Sequence, residues 1–154
     1  MHNKIVNAEL AQDKIFATML QQHAKDIIKH LIKRGVVFSI LCNVPKLSFN
    51  PMLDVLENLL QFSVFVLAGY TFESVEVGED FLQFEAGFGK DNEGSFVHVP
   101  FSAIVQISLC SDTNLQENVI FTNIFATLDD TANKGIADSM RAFLQNPENQ
   151  HLKQ

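Results

Sequence analysis

The residues able to do chemistry are few and scattered. Of the five histidines, His2, His23, His30, His98 and His151, none is spaced as H-x-x-x-H and none is flanked by a cysteine or acidic cluster, the pattern a metal site needs. His23 and His30 lie seven apart on one side of a predicted helix, where an ordinary helix face accounts for them. His98 alternates with Val97 and Val99, as an outward polar residue of a half-buried strand does. With an acid such as Glu85 it would make a general acid/base pair, but nothing in the sequence brings the two together. Cys42 and Cys110 fall in apolar runs, form no C-x-x-C pair and have no basic neighbours to lower a thiol pKa, so they read as small hydrophobes. Gly87-Phe88-Gly89 lacks the third glycine and the following helix of a phosphate loop. No catalytic residue, metal or cofactor is expected.

Composition narrows the partners. A length of 154 residues fits one domain, and 47% hydrophobic with 19% charged side chains allow a packed core and exclude wholesale disorder. The 18 acidic and 11 basic residues leave a formal charge of −7 with no basic cluster, so nucleic acid is not an expected partner. The longest apolar stretch, Leu59 to Tyr70, is too short to span a bilayer, and Met1 to Leu10 lacks the apolar run of a signal peptide. No membrane contact and a cytoplasmic location are expected, and the distant cysteines predict no disulfide framework.

The elements that must position these residues read as an α+β layout. From Glu9 to Arg34, Ile15, Phe16, Met19, Leu20, Ile27, Ile28, Leu31 and Ile32 recur at helical spacing, with His23 and Ala24 in the same stripe. They predict a long amphipathic helix ended by Lys33, Arg34 and Gly35. Val36 to Val44 reads as a strand, Met52 to Leu60 as a short helix, and Gln61 to Tyr70, apolar on both faces, as an inner strand. Phe72 to Phe88 reads as a hairpin turning at Gly78-Glu79-Asp80, with Leu82, Phe84, Ala86 and Phe88 on one face. Phe96 to Val99 returns as a strand that Pro100 interrupts, and Ile104 to Leu109 and Val119 to Leu128 are two more, separated by the polar loop Ser111 to Asn118. Ile136, Met140, Phe143 and Leu144 predict a C-terminal helix, Lys134 to Gln145. The expectation is a single domain over 1–146, with about five or six mostly antiparallel strands, and a polar tail over 147–154. Phe65, Phe72, Phe81 and Phe101 are candidates to face outward and line an apolar groove.

Two stretches, Ser63 to Gly89 (SVFVLAGYTFESVEVGEDFLQFEAGFG) and Val97 to Ile104 (VHVPFSAI), resemble the stringent starvation protein B family. That family has an apolar strand, a Leu-Glu-Val-x-x-Asp hairpin, a strand ending in Phe-Gly-Gly, then Val-x-Val-Pro-Phe/Leu-x-Ala. The resemblance implies a small, bent, Sm-like, partly open barrel behind a dimer-forming helix. It also implies an adaptor whose groove holds extended tails, ssrA-like ones among them, for the AAA+ unfoldase ClpX of the ClpXP protease. Carried over residue by residue, Phe88, Gly89, Val99, Pro100, Phe101 and Ala103 would lie near the groove. Lys90 stands where the family has its second glycine, the family's apolar docking tail has no counterpart beyond Leu152, and the predicted C-terminal helix is extra.

The leading expectation is a homodimeric polypeptide-binding adaptor and not an enzyme, with Ile15, Phe16, Met19 and Ile27 of the first helix at the dimer contact. A small acidic dimeric secretion-type chaperone is the alternative, which the C-terminal helix suits better. A thioester-handling enzyme built on a helix and curved sheet comes third, for lack of a catalytic pair.

Overall fold

A computed structural model describes residues 9–110 and 118–128 of the chain. Helix α1 spans Lys14–Arg34. The helix expected from Glu9 is helical at residues 9–11 but broken at Asp13, which is extended and whose carboxylate accepts from the Phe16 N–H at 3.1 Å, making it the N-cap of α1. At the other end Gly35 takes the left-handed conformation (φ 68°), its N–H bonds the Ile32 carbonyl, and the Val36 N–H reaches the Leu31 carbonyl at 2.9 Å. These bonds satisfy carbonyls that the helix end would otherwise leave open. Ala24, Ile28 and Leu31 are the buried edge of α1, and His23 faces solvent instead of filling that stripe.

Among the described residues eight short strands follow: β1 (Phe38–Asn43), β2 (Ser48–Asn50), β3 (Phe62–Leu67), β4 (Glu76–Val77), β5 (Phe81–Phe88), β6 (Glu93–Pro100), β7 (Ile104–Leu109) and β8 (Asn118–Thr122). Instead of one bent sheet they make two antiparallel four-stranded sheets, β3-β1-β7-β8 and β2-β6-β5-β4, which do not close into a barrel. The chain passes between them four times, twice by way of a single 3-10 turn, Val44–Lys46 and Phe101–Ala103. Each turn carries or follows a proline, Pro45 or Pro100, which cannot donate to a ladder. The core draws Phe38, Ile40 and Cys42 from β1, Phe65 and Leu67 from β3, Leu82 and Phe84 from β5, Val97 and Val99 from β6, and Ile107 from β7. Helix α1 lies over the turn Phe101–Ala103 at the margin of that core.

Several expectations change. Gln61 to Tyr70 is not an inner strand: β3 stops at Leu67 and is the outermost strand of its sheet, and Gly69–Glu73 forms a short helix, α2. The expected helix at Met52 to Leu60 is a single 3-10 stretch, Asp54–Asn58. The last described strand ends at Thr122, where Asn123 caps a 3-10 turn, Ile124–Thr127, by accepting from the Phe125 N–H. Phe65 and Phe101 do not face outward but are buried, and the Phe72 ring meets Phe38 edge-on at 6.3 Å. The predicted C-terminal helix and polar tail lie outside the described residues.

Candidate peptide-binding edge

The six residues carried over by the family resemblance do not share a surface. Val99 on β6, and Phe101 and Ala103 in the 3-10 turn that follows it, are buried in the core. Pro100 ends β6 opposite Phe81 and is half-buried. The Phe88 ring is held edge-on between Phe49, at 6.2 Å, and Phe65, at 6.5 Å. Gly89 is exposed and left-handed (φ 73°), and a Cβ there would stand 3.6 Å from the Val55 side chain. The Ser95 hydroxyl donates to the Pro51 carbonyl at 2.8 Å. The chain's own residues Phe49 to Val55 therefore lie across the tip of the β5–β6 hairpin, where the groove was expected.

The outer face of the second sheet gathers the polar residues. Strand register puts Ser48, His98, Gln83 and Glu76 in one row across β2, β6, β5 and β4. The His98 ring lies over Phe81 at 4.3 Å, and Ser48, Phe49, Asn50, Gln83, Phe96 and His98 line a shallow hollow of about 180 Å³. Glu85 shares this face, one pair further along, opposite Phe96. Its carboxylate accepts from the Tyr70 hydroxyl. On His98's own row the directly paired cross-strand neighbours are Ser48 and Gln83, neither of which is a carboxylate. Among the described residues no three His, Cys, Asp or Glu side chains group as metal ligands, and no helix is long and apolar enough to cross a membrane.

The four residues expected at a dimer contact split. Ile27 packs on the core, and Phe16 meets Phe125 edge-on at 5.8 Å. Ile15 and Met19 alone of the four are open to solvent.

What remains is an edge. A strand at the side of a sheet carries unpaired N–H and C=O groups, which proteins normally guard with shortness, bulges, charge or proline. Here β2 has three residues and β4 two, and the ladder to β8 shifts register between Ile107 and Ser108. Strand β3 has six residues, Phe-Ser-Val-Phe-Val-Leu, in unbroken register with β1 and with no charge or proline. The Val44 N–H donates to the Gln61 carbonyl at 2.7 Å, one pair beyond the ladder. Bonded pairs alternate along an antiparallel ladder, so Ser63, Phe65 and Leu67 bond β1, while Phe62, Val64 and Val66 aim their amides and carbonyls away from it. Among the described residues no strand pairs with those groups, because β3 has only β1 beside it.

The side chains agree with the backbone. Phe65 and Leu67 are buried, while Val64 and Val66 are 51% and 53% exposed, and Leu60 just ahead of the strand is more exposed still. The sequence carries this edge as the run Val64 to Leu67, but an apolar residue at every position hides which side of the sheet is covered. Comparison with models of known protein families and with curated proteins gives no match to this chain.

Proposed function

We propose that this chain is a polypeptide-binding adaptor that takes up extended segments as an added strand along β3. The observation that carries the reading is the open, uncharged edge of β3, with the main-chain groups of Phe62, Val64 and Val66 aimed outward beside exposed Val64 and Val66. A strand laid there gains main-chain hydrogen bonds of about 0.5–1.5 kcal/mol each and covers apolar surface worth about 25 cal/mol per Å². Affinity then comes mostly from backbone groups that every peptide has, and selectivity from alternate side chains. An uncharged, β-branched-rich segment suits this edge best, since no charge of β3 lies along it to pair with one. The site differs from the hairpin groove implied by the family resemblance, but the task is the same: holding a tail for an AAA+ protease in the cytoplasm.

The experiment is fluorescence anisotropy of a labelled, uncharged, valine- and threonine-rich peptide against the wild type and the Val64→Pro variant. The Val64 N–H points out of the ladder, so proline removes an outward donor and leaves the β1–β3 bonds standing. The variant is expected to keep its unfolding midpoint and lose at least about tenfold in affinity, the cost of about 1.4 kcal/mol. Equal binding by both proteins excludes β3 as the site.

A further inference from the structure

The edge of β3 is complementary to a second copy of itself. A two-fold axis can set one β3 antiparallel to another, and hydrogen bonds then form only where two outward-bonding residues stand opposite. The outward-bonding residues are Phe62, Val64 and Val66. With the axis at Val64, that residue meets its own counterpart and Phe62 meets the second copy's Val66. Every outward N–H and C=O of both strands is then satisfied, and any other axis position leaves at least one of the three residues unmatched within the strand. Val64 and Val66, exposed on the side opposite buried Phe65 and Leu67, become cross-strand apolar pairs.

Charge points to the same place. A formal charge of −7 pushes two copies apart, so a self-contact belongs where no charge meets its own kind. From Asn58 to Phe72 the sequence has no Asp, Glu, Lys, Arg or His. The other described edges fit less well, since β2 and β4 are short, β4 carries Glu76 and the ladder to β8 is bulged. The contact is small: an edge about 20 Å long and one sheet, about 10 Å, deep covers roughly 200 Å² per copy. Stable complexes bury about 800 Å² on each partner, so this pairing is weak, absent from dilute solution and present in concentrated solution.

We propose that two copies of this chain pair reversibly through β3, about a two-fold axis at Val64, and that the pairing shuts the peptide edge. The pairing stands on the geometry of β3 alone, whereas the shutting rests on the reading of β3 as the peptide site. A second copy and a peptide need the same main-chain groups of Phe62, Val64 and Val66, so each excludes the other. An extended tail thus opens the edge by competing for it.

The axis is tested by single cysteines in the full-length Cys110→Ser chain. Cα atoms of a bonded antiparallel pair lie about 5.5 Å apart, within disulfide reach. The two copies of residue 66, each opposite a residue 62, lie about 14 Å apart. In concentrated solution, with oxidised glutathione reduced to two thiols for each disulfide formed, Val64→Cys is expected to link into dimers at least about tenfold faster than Val66→Cys. The native valines are equally exposed, 51% and 53%, so equal linking, or none by either, overturns the pairing. Sedimentation of the wild type tests the shutting: the mass is expected to rise from one copy to two with concentration, and excess valine- and threonine-rich peptide to return it to one copy with one peptide. Dimers that keep a peptide on each copy overturn the shutting. Single copies at every concentration, or species that grow without limit, overturn the pairing and leave peptide uptake by β3 standing. A dimer linked through Val64→Cys beside a wild type that binds no peptide overturns the peptide reading instead.

Discussion

The hydroxyl of Tyr70, on α2, donates to the carboxylate of Glu85, on β5, and the Ser74 hydroxyl accepts from the Glu85 backbone N–H at 2.9 Å. Residues 70 and 74 thus clamp one turn of chain onto the outer face of the second sheet. The hydrogen bond to Glu85, then its negative charge and lesser desolvation, raise the Tyr70 pKa above its ordinary value of 10.0. Tyr70 is the only tyrosine and there is no tryptophan, so absorbance at alkaline pH reads this one group. The titration midpoint is expected above 10, and Glu85→Gln is expected to lower it toward 10. Because the folded pKa is the raised one, the clamp's contribution is complete below the unfolded pKa and is lost as pH rises through the folded pKa. A midpoint that Glu85→Gln leaves in place contradicts the pairing.

Asn43 ties the end of β1 to the turn that follows β8. Its side chain is buried, and Nδ2 donates to the Ala126 carbonyl at 3.1 Å and the Leu128 carbonyl at 3.5 Å. Asn43→Ala leaves those carbonyls without this donor and is expected to cost about 1–3 kcal/mol, read as a lower urea midpoint. Asn43→Asp is expected to cost more, since it removes the donor and brings a charge into the same buried place. A midpoint unchanged in Asn43→Ala shows that the tie adds nothing to stability.

The two thiols are expected to separate cleanly. Cys42 is fully buried on β1 and burial pushes its thiol pKa far up, while Cys110 follows β7 in an exposed position. At mildly alkaline pH a thiol reagent is expected to modify one cysteine per native chain quickly and the second only in denaturant. Rapid modification of both in the native state contradicts the packing of β1.

Much of this architecture was legible in the residues. The stripe of α1, the left-handed stop at Gly35, the alternation Leu82, Phe84 and Ala86, and the exit at Pro100 each carry a local signal, and each element is present. The failures come where one residue overrides a pattern or where long-range pairing decides. Asp13 interrupts the helical stretch, which continues on both sides of it, because its side chain caps the Phe16 amide. Uniform hydrophobicity from Val64 to Leu67 suggested cover on both sides, and only the pairing of β1 with β7 shows that β3 is left outermost among the described strands. The groove residues misled for a related reason: a motif such as Val-Pro-Phe specifies a turn into the core as readily as a ligand contact, and here Phe101 is core.

The most direct test of the central claim is amide hydrogen exchange along β3, residue by residue, with and without a saturating peptide. In the free chain the amides of Ser63, Phe65 and Leu67, which face β1, are expected to exchange slowly, and those of Phe62, Val64 and Val66 quickly. Binding is expected to slow Phe62, Val64 and Val66 at least about tenfold. If the peptide binds while these three keep their free-chain rates, the edge of β3 is not where polypeptides are held.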